Sequence, residues 1–227
     1  MKKLGMKTVG LMPRRPDITR AKFRDHYETG HAPLALRNIK DFPFQKYVRN
    51  HLTSDAPDAV LGAPIDSLSE FWFKDAAAVD QARAFLGTPA GELVREDERR
   101  FTDQPKIASF QSNELLIAGR DRPNEADAVR RKAAWPLLLD AAYQEDAEGA
   151  ALQAALARAV AGIPGRWTLD LQVPGRTYGQ VPFDAILFHW VQDTAPGDMD
   201  ERLRGIARPL VRLDAEQIET PDELLAP

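Results

Sequence analysis

Hydrophobic positions along the first half of the chain follow two periods. Short runs rich in apolar, β-branched and aromatic residues predict strands, and stretches with apolar residues every three or four positions predict helices. Together they give the order strand, helix, strand, strand, helix, strand. The predicted strands are Thr8–Met12, Phe44–His51, Leu68–Phe73 and Ile107–Ile117, and the predicted helices are Thr19–Leu36, Ala76–Leu86 and a charged surface helix at Leu93–Phe101.

The second half repeats this order more loosely. Residues 66–75 align without a gap with residues 184–193, and three identities, including Trp72 with Trp190, fall at a constant offset of 118. A tandem duplication follows from the shared order and this match. The predicted strands here are Leu137–Ala142, Trp167–Val173, Phe183–Val191 and Leu210–Ile218, and the predicted helices are Ala147–Ala161 and Met199–Ile206.

This pattern predicts an α+β protein of two ferredoxin-like βαββαβ repeats. Each repeat forms a four-stranded antiparallel sheet with both helices on one face, so the other face needs a cover. We expect the two sheets to cover each other within one chain. The first domain would span residues 1–119 and the second residues 125–227, since Gly119–Asn124 is a polar, turn-rich linker.

Composition narrows the class of protein. A net charge of −4 and a pI near 5.6 argue against a nucleic-acid partner, which usually calls for a basic face. The absence of a long apolar run or a signal-peptide pattern predicts a cytoplasmic protein with no membrane partner. Because the chain has no cysteine, it has no disulfide or thiolate nucleophile.

Proton-transfer chemistry concentrates on the first predicted helix. Two of the four histidines, His26 and His31, lie there beside Tyr27, and Phe23 precedes them on the apolar face. Histidine can take and give a proton near neutral pH. In a regular helix the two rings would stand about 140° apart, which argues against a shared metal ion. We therefore expect no metal.

Three segments carry a resemblance to a known family. They are Arg14–Phe23 with the sequence RRPDITRAKF, the pair His26–Tyr27, and His31–Leu34 with the sequence HAPL. They resemble the opening of EthD-type domains, over about residues 6–114, with the second half a divergent repeat. The resemblance implies an intrachain dimeric α+β barrel with a pocket, between the sheet and its helices, for an apolar and often aromatic molecule. Other branches of that superfamily bind haem.

The candidate catalytic residues are His31 as the general base or acid, His26 as its helper, Tyr27 as the hydrogen-bond donor to an oxyanion, and Glu70. Glu70 shares a strand face with Trp72 and is replaced by Phe188 in the repeat, which fits a site confined to the first half.

The candidate substrate-binding residues come from three elements. Alternation places Tyr47, Arg49 and His51 on one face of a strand. The pattern does not decide whether that face meets the helices or the other repeat. The run Arg95–Arg100 is predicted to be a solvated helix face. The predicted substrate-binding residues are Tyr47, Arg49, His51, Trp72 and Phe23.

From these residues we expect a cofactor-independent lyase that dehydrates or decarboxylates, or else cyclises or isomerises, a hydrophobic aromatic small molecule. No cofactor is expected. The alternatives are a cofactor-free oxygenase of an electron-rich aromatic and a non-catalytic protein that binds aromatic ligands. A homodimer is left open.

Overall fold

The computed structural model describes residues 5–54, 64–119, 130–146, 148–191 and 196–225. Most of the predicted linker Gly119–Asn124 lies outside these ranges, so the domain boundary stays a prediction.

The first repeat is a ferredoxin-like unit. Its four antiparallel strands run in the spatial order β4-β1-β3-β2, with β1 paired to both β3 and β4 and β2 paired to β3. The predicted strands are therefore confirmed; the first three are longer than predicted, and the fourth is shifted by one residue. The strands are β1 (Met6–Pro13), β2 (Phe44–Leu52), β3 (Ile65–Phe73) and β4 (Ala108–Ala118).

The helices of the first repeat cover one face of this sheet. The Thr19 hydroxyl accepts a hydrogen bond from the Lys22 backbone N–H, and Asp75 and Thr88 cap the two later helices in the same way. Their apolar faces pack on the sheet in one core cluster. The helices are α1 (Arg20–His26), a π turn (Tyr27–His31), α2 (Ala32–Arg37), α3 (Ala76–Leu86) and α4 (Pro89–Phe101).

The second repeat follows the same plan. Its first strand pairs with β7 on one edge and with β8 and β9 on the other, and β6 pairs with β7. The elements are β5 (Arg130–Leu139), α5 (Ala141–Gln144), α6 (Ala150–Ala159), β6 (Arg166–Tyr178), β7 (Ala185–Val191), α7 (Met199–Arg202), β8 (Ala207–Pro209) and β9 (Leu213–Glu219).

The strand predicted at Leu137–Ala142 was placed wrongly. The structure begins β5 at Arg130 and ends it at Leu139, because the charged residues Arg130–Lys132 pair with β9 and Ala141 already begins a helix. Because the strand begins with three charged residues, the hydrophobic pattern did not predict its start.

Two pairings between the repeats close the barrel. Strand β2 pairs with β9 from Val48–Glu219 to Leu52–Ala215, and β4 pairs with β6 along most of its length. Since β8 and β9 share one edge of β5, the result is a closed eight-stranded barrel with the helices outside. The predicted tandem ferredoxin-like architecture, an intrachain dimeric α+β barrel, is confirmed.

Alternation along each strand separates the barrel interior from the helix-facing side. In β1, Val9 and Leu11 point inward and join apolar residues of both repeats in one core cluster. Lys7 also points inward, where its ammonium group lies 2.6 Å from Glu70 and 2.7 Å from both Glu114 and Asp170. The interior is therefore a mixed core of apolar groups and paired charges.

The lysines of the interior repeat with the fold. Lys7 is the register partner of Trp72 on β3, and Lys132 is the register partner of Trp190 on β7. The Lys7 ammonium lies 4.6 Å from the ring centroid of Trp72, and the Lys132 ammonium lies 4.3 Å from that of Trp190. The two copies thus keep one lysine–tryptophan pair each, as a duplication predicts.

Candidate functional site

A cavity of about 910 Å³ lies between the first sheet and its helices. We call it the first-repeat cavity. Its strand side includes Thr8, Gly10 and Met12 of β1, the residues that alternate with the inward ones. One end is apolar and the other polar. The apolar end is lined by Phe42, Phe44, Tyr47, Phe71, Phe73, Val79 and Leu86, and the polar end by His31, Arg95, Glu98, Arg99 and Gln104.

The apolar end presents flat aromatic surfaces. The rings of Phe42 and Phe44 stack with centroids 5.5 Å apart, and those of Tyr47 and Phe71 stack with centroids 4.9 Å apart. Ligand pockets of this kind are lined mostly by apolar and aromatic side chains with a few polar groups that fix orientation. The walls therefore suit a planar, apolar molecule.

The two histidines of the first helix converge on one carboxylate. His26 Nε2 lies 2.9 Å from Asp97 Oδ1, and His31 Nδ1 lies 3.0 Å from Asp97 Oδ2. The expectation that the rings stand far apart around the helix is wrong. It assumed a regular α-helix, but the chain makes a π turn over Tyr27–His31, and the wider turn brings positions five apart onto one side.

Pro33 accounts for the π turn. A proline inside a helix lacks the backbone N–H and its ring clashes with the carbonyl group four residues earlier. Here the Ala32 N–H donates to the Tyr27 carbonyl, five residues back, so the turn before Pro33 is widened. The motif residues His31, Ala32 and Pro33 thus set the position of the His31 ring through the backbone.

Sequence reasoning missed Asp97. The run Arg95–Arg100 was predicted to be solvated, but Asp97 is only 7% exposed and faces the histidines of the first helical segment. Burial opposes its charge, yet the hydrogen bonds from His31 and His26 prevail and hold the pKa of Asp97 below its usual value. A signal existed, because Asp97 is three residues after Val94 and four before Phe101, on the apolar stripe of α4.

His31 is oriented for proton transfer. It is 5% exposed and lines the cavity. Because the ionised Asp97 accepts the Nδ1–H, Nε2 is left as the proton acceptor, the arrangement that a carboxylate imposes on a catalytic histidine. The nearest carboxylate to Nε2 is that of Glu98, whose Oε1 lies 4.0 Å away. Burial raises the pKa of Glu98, although His31 opposes the rise.

A chain of hydroxyl groups lies beside His31. The rings of Tyr27 and His31 are 5.4 Å apart, and both residues line the cavity. The Tyr47 hydroxyl donates to the Tyr27 hydroxyl at 3.2 Å, and the Tyr27 hydroxyl lies 2.7 Å from Ser69 Oγ. Burial raises the pKa of Tyr27 to about 12. Tyr27 therefore keeps its proton at neutral pH and serves as a donor.

Two predicted substrate-binding residues are occupied elsewhere. Arg49 and His51 face the helices with Tyr47, which decides the open question of that strand face, but neither lines the cavity. Both bind Glu28, with Arg49 Nε 2.8 Å and His51 Nε2 2.6 Å from Glu28 Oε1. Burial would raise the pKa of Glu28, but His51 and Arg49 lower it to about 2. Through these contacts Arg49 and His51 hold the helical segment that carries Glu28 against β2.

Glu70 and Trp72 lie on the other side of the sheet, inside the barrel. Glu70 was predicted to be catalytic, but its described partners are Lys7, Lys132 and Asn50. Burial alone would raise the pKa of Glu70, but the two lysines hold it below its usual value. Trp72 packs against Lys7. Alternation along β3 thus separates both residues from the first-repeat cavity.

Phe23 and His26 support the site from outside it. Phe23 is buried and packs edge-on against Tyr27, with ring centroids 5.8 Å apart, but does not line the cavity. His26 stacks on Phe101 and binds Asp97. Of the nine predicted site residues, the structure brings His31, Tyr27 and Tyr47 to the cavity wall.

The matching space in the second repeat holds an apolar core. Trp135, Trp167 and Leu152 form its core with other apolar residues. His189 stacks flat on Trp167 with ring centroids 3.9 Å apart, and its Nε2–H donates to the Pro164 carbonyl at 2.9 Å. Burial lowers the pKa of His189. This histidine is part of the packing, as its flanking aromatic residues predict.

Among the helices in the described ranges, none has the length and apolar composition that a membrane span requires.

A comparison with known protein families identifies the domain that most of the first repeat matches. Residues 15–105 match the EthD domain. The resemblance predicted from the first helix is confirmed. The match begins after β1 and ends before β4, so it covers the helices of the first repeat and the strands β2 and β3. The full sequence matches none of the curated proteins with which it was compared.

Solved structures share the whole fold at low identity. An anthrone oxidase-like protein superposes with a TM-score of 0.54 at 12% identity, covering 97% of this chain and 92% of that one. A candidate monooxygenase from Fusobacterium nucleatum gives 0.51 at 11% identity, with 97% and 94% covered. One from Lactobacillus acidophilus gives 0.50 at 9% identity, with 96% and 94% covered.

These comparisons correct the main functional prediction. The lyase expected from the sequence is wrong, because the proteins that share the complete two-repeat fold are named as an oxidase and as monooxygenases. The oxygenase, weighed as an alternative, agrees with those names better.

Proposed function

We propose that this protein is an oxygenase that oxidises an electron-rich, planar aromatic molecule in the first-repeat cavity without a metal or organic cofactor. The observation that carries the proposal is the Asp97–His31 pair at the wall of a large aromatic-lined cavity. The names of the proteins that share the fold favour oxygen chemistry over elimination.

The suitable substrate class follows from what the cavity offers. Molecular oxygen reacts with a substrate that has first lost a proton and become electron-rich. A base is therefore required, and His31 Nε2 is the group that Asp97 leaves free to act as one. A polycyclic ketone of the anthrone type has such an acidic C–H between two aromatic rings, and its flat shape matches the stacked walls.

The reaction balances with oxygen as the only co-reactant. His31 Nε2 takes a proton from the substrate CH₂ group, and the carbanion gives one electron to O₂. The two radicals combine to form a C–O bond, and the peroxide anion takes the proton back from His31. Loss of water from this hydroperoxide leaves a ketone, so that CH₂ and O₂ become C=O and H₂O.

Tyr27 has a separate role in this proposal. Deprotonation places negative charge on the substrate carbonyl oxygen, and a preorganised donor stabilises such charge most where water is excluded. The Tyr27 hydroxyl is buried, stays protonated with a pKa of about 12, and already accepts a hydrogen bond from Tyr47. It would exchange its contact with Ser69 for the substrate oxygen.

The same residues fit haem poorly. His31 Nε2, the nitrogen that would have to hold the iron, lies 4.0 Å from Glu98 Oε1. The Glu98 carboxyl group therefore stands where the haem would bind. We therefore derive no step through haem.

The test is oxygen uptake by the purified protein with anthrone as the probe. We expect uptake of one O₂ for each anthraquinone formed, faster than in buffer, with no Soret band in the protein. His31→Ala should lower the catalysed rate by about a hundredfold or more. The exposed Leu93→Ala should keep the wild-type rate. Turnover without oxygen uptake, or a rate unchanged in His31→Ala, would contradict the proposal.

A further inference from the structure

The second repeat sends a segment across to the first-repeat cavity. Strand β6 pairs with β7 only as far as Leu171, which faces Ala185. Beyond this point β6 continues along β4 of the first repeat, where Thr177 pairs with Phe110 and Tyr178 with Ser109. We call residues 173–179 the β6 arm.

Two glycines shape the arm. Its pairing with β4 shifts register between Phe110 and Ser112, so extra residues of β6 bulge out at this point. Gly175 lies there with a φ of +70°, a conformation that suits glycine. Gly179 also has a φ of +70°, and a Cβ at this position would lie 2.8 Å from the Ile107 carbonyl oxygen. The arm thus leaves β4 in a bulge around Gly175 and returns to it at Thr177 and Tyr178, and Gly179 allows the chain to pass close to Ile107.

Tyr178 is exposed at the mouth of the cavity. It is 65% exposed, among the few large hydrophobic side chains of the described residues that are, and it lines the first-repeat cavity with Thr177. None of the described close ring pairs includes Tyr178. Its ring therefore has a free face beside an aromatic-walled space, and aromatic stacking gains free energy beyond the area it buries.

We propose that Tyr178, supplied by the second repeat, stacks on the planar aromatic substrate at the mouth of the first-repeat cavity and sets its affinity. The inference rests on the proposed function for the identity of the substrate, but it concerns binding and not chemistry. It also gives the second repeat a part in the site: while its own sheet-to-helix space holds an apolar core, its arm completes the site of the first repeat.

Binding and turnover are measured separately to test this. Anthraquinone, the expected product, is titrated into the protein without turnover, and the Kd is read from the quenching of tryptophan fluorescence. Tyr178→Ala should weaken Kd roughly tenfold, and Tyr178→Phe should bind within about twofold of wild type, because the ring and not the hydroxyl makes the contact. With anthrone, Tyr178→Ala should raise KM with kcat nearly unchanged.

Leu93→Ala is the matched control. Leu93 is 58% exposed and does not line the cavity, so its removal should leave Kd unchanged. Since Tyr178 is exposed, its variants should fold as wild type does, which the melting temperature checks. A wild-type Kd for Tyr178→Ala, or an equal loss in Leu93→Ala, would overturn the inference. If anthraquinone binding depends on Tyr178 but anthrone causes no oxygen uptake, the inference about Tyr178 is supported and the oxygenase proposal fails.

Discussion

The two repeats use the space between sheet and helices differently. In the first repeat this space is a cavity of about 910 Å³, and His31 stands at its wall with Nδ1 on Asp97. In the second repeat Trp135 and Trp167 occupy the corresponding space, and His189 lies flat on Trp167 at 3.9 Å. Both halves have buried histidines, but among the described residues only those of the first half, His31 with Asp97 and His51 with Glu28, have a carboxylate partner.

This difference separates what a fold requires from what a site requires. Both halves must bury the helix-facing side of a sheet, and tryptophan does so with large apolar area. A site needs an open volume, and the stability that is lost by leaving this volume unpacked must come from another part of the protein. The closed barrel supplies that stability, since its interior is shared by both repeats. The second copy can therefore be packed for stability while the first stays open.

The largest expected effect concerns the packed side. Trp167→Ala removes a fully buried side chain that stacks on both Trp135 and His189. We expect the free energy of unfolding to fall by about 3–5 kcal/mol, measured by urea denaturation. Leu93→Ala, an exposed control, should change it by about 0.5 kcal/mol or less. A stable Trp167→Ala protein that has lost its activity would mean that the second repeat holds the site.

A smaller effect is expected from the partner of His31. Asp97→Asn keeps the shape but replaces a carboxylate by an amide, whose NH₂ group can donate to Nδ1 and leave the proton on Nε2. The base would then be lost, and we expect kcat for anthrone oxidation to fall by about a hundredfold. His26→Asn, which removes the other partner of Asp97, should lower kcat by less than about tenfold. Equal losses in the two variants would show that Asp97 acts only as a brace.

Much of the fold was predictable from the chain because duplication and periodicity report on burial. The order of strands and helices along the chain and the helix at Ala76–Leu86 follow from hydrophobic spacing. Strand β5 was misplaced, since Arg130–Lys132 put charge where the pattern expects apolar residues. The Lys132 ammonium can be buried because it pairs with Glu70. The two residues are far apart in the chain, so local spacing does not show this contact.

The site was predictable only in part. His31, Tyr27 and Tyr47, which motif and alternation single out, line the cavity, whereas Glu70 lies on the opposite face of the sheet. The π turn changes the phase of the helix, so regular geometry gave the wrong angle between the histidines. Asp97 was hidden within a charged run, although its spacing from Val94 and Phe101 puts it on the buried stripe.

The most direct test of the account is a crystal structure of the protein with anthraquinone bound. We predict density in the first-repeat cavity, with the flat ligand between the aromatic walls and Tyr178, and one carbonyl oxygen within hydrogen-bond distance of His31 Nε2 or the Tyr27 hydroxyl. Density inside the barrel near Lys7, or among the helices of the second repeat, would contradict the account.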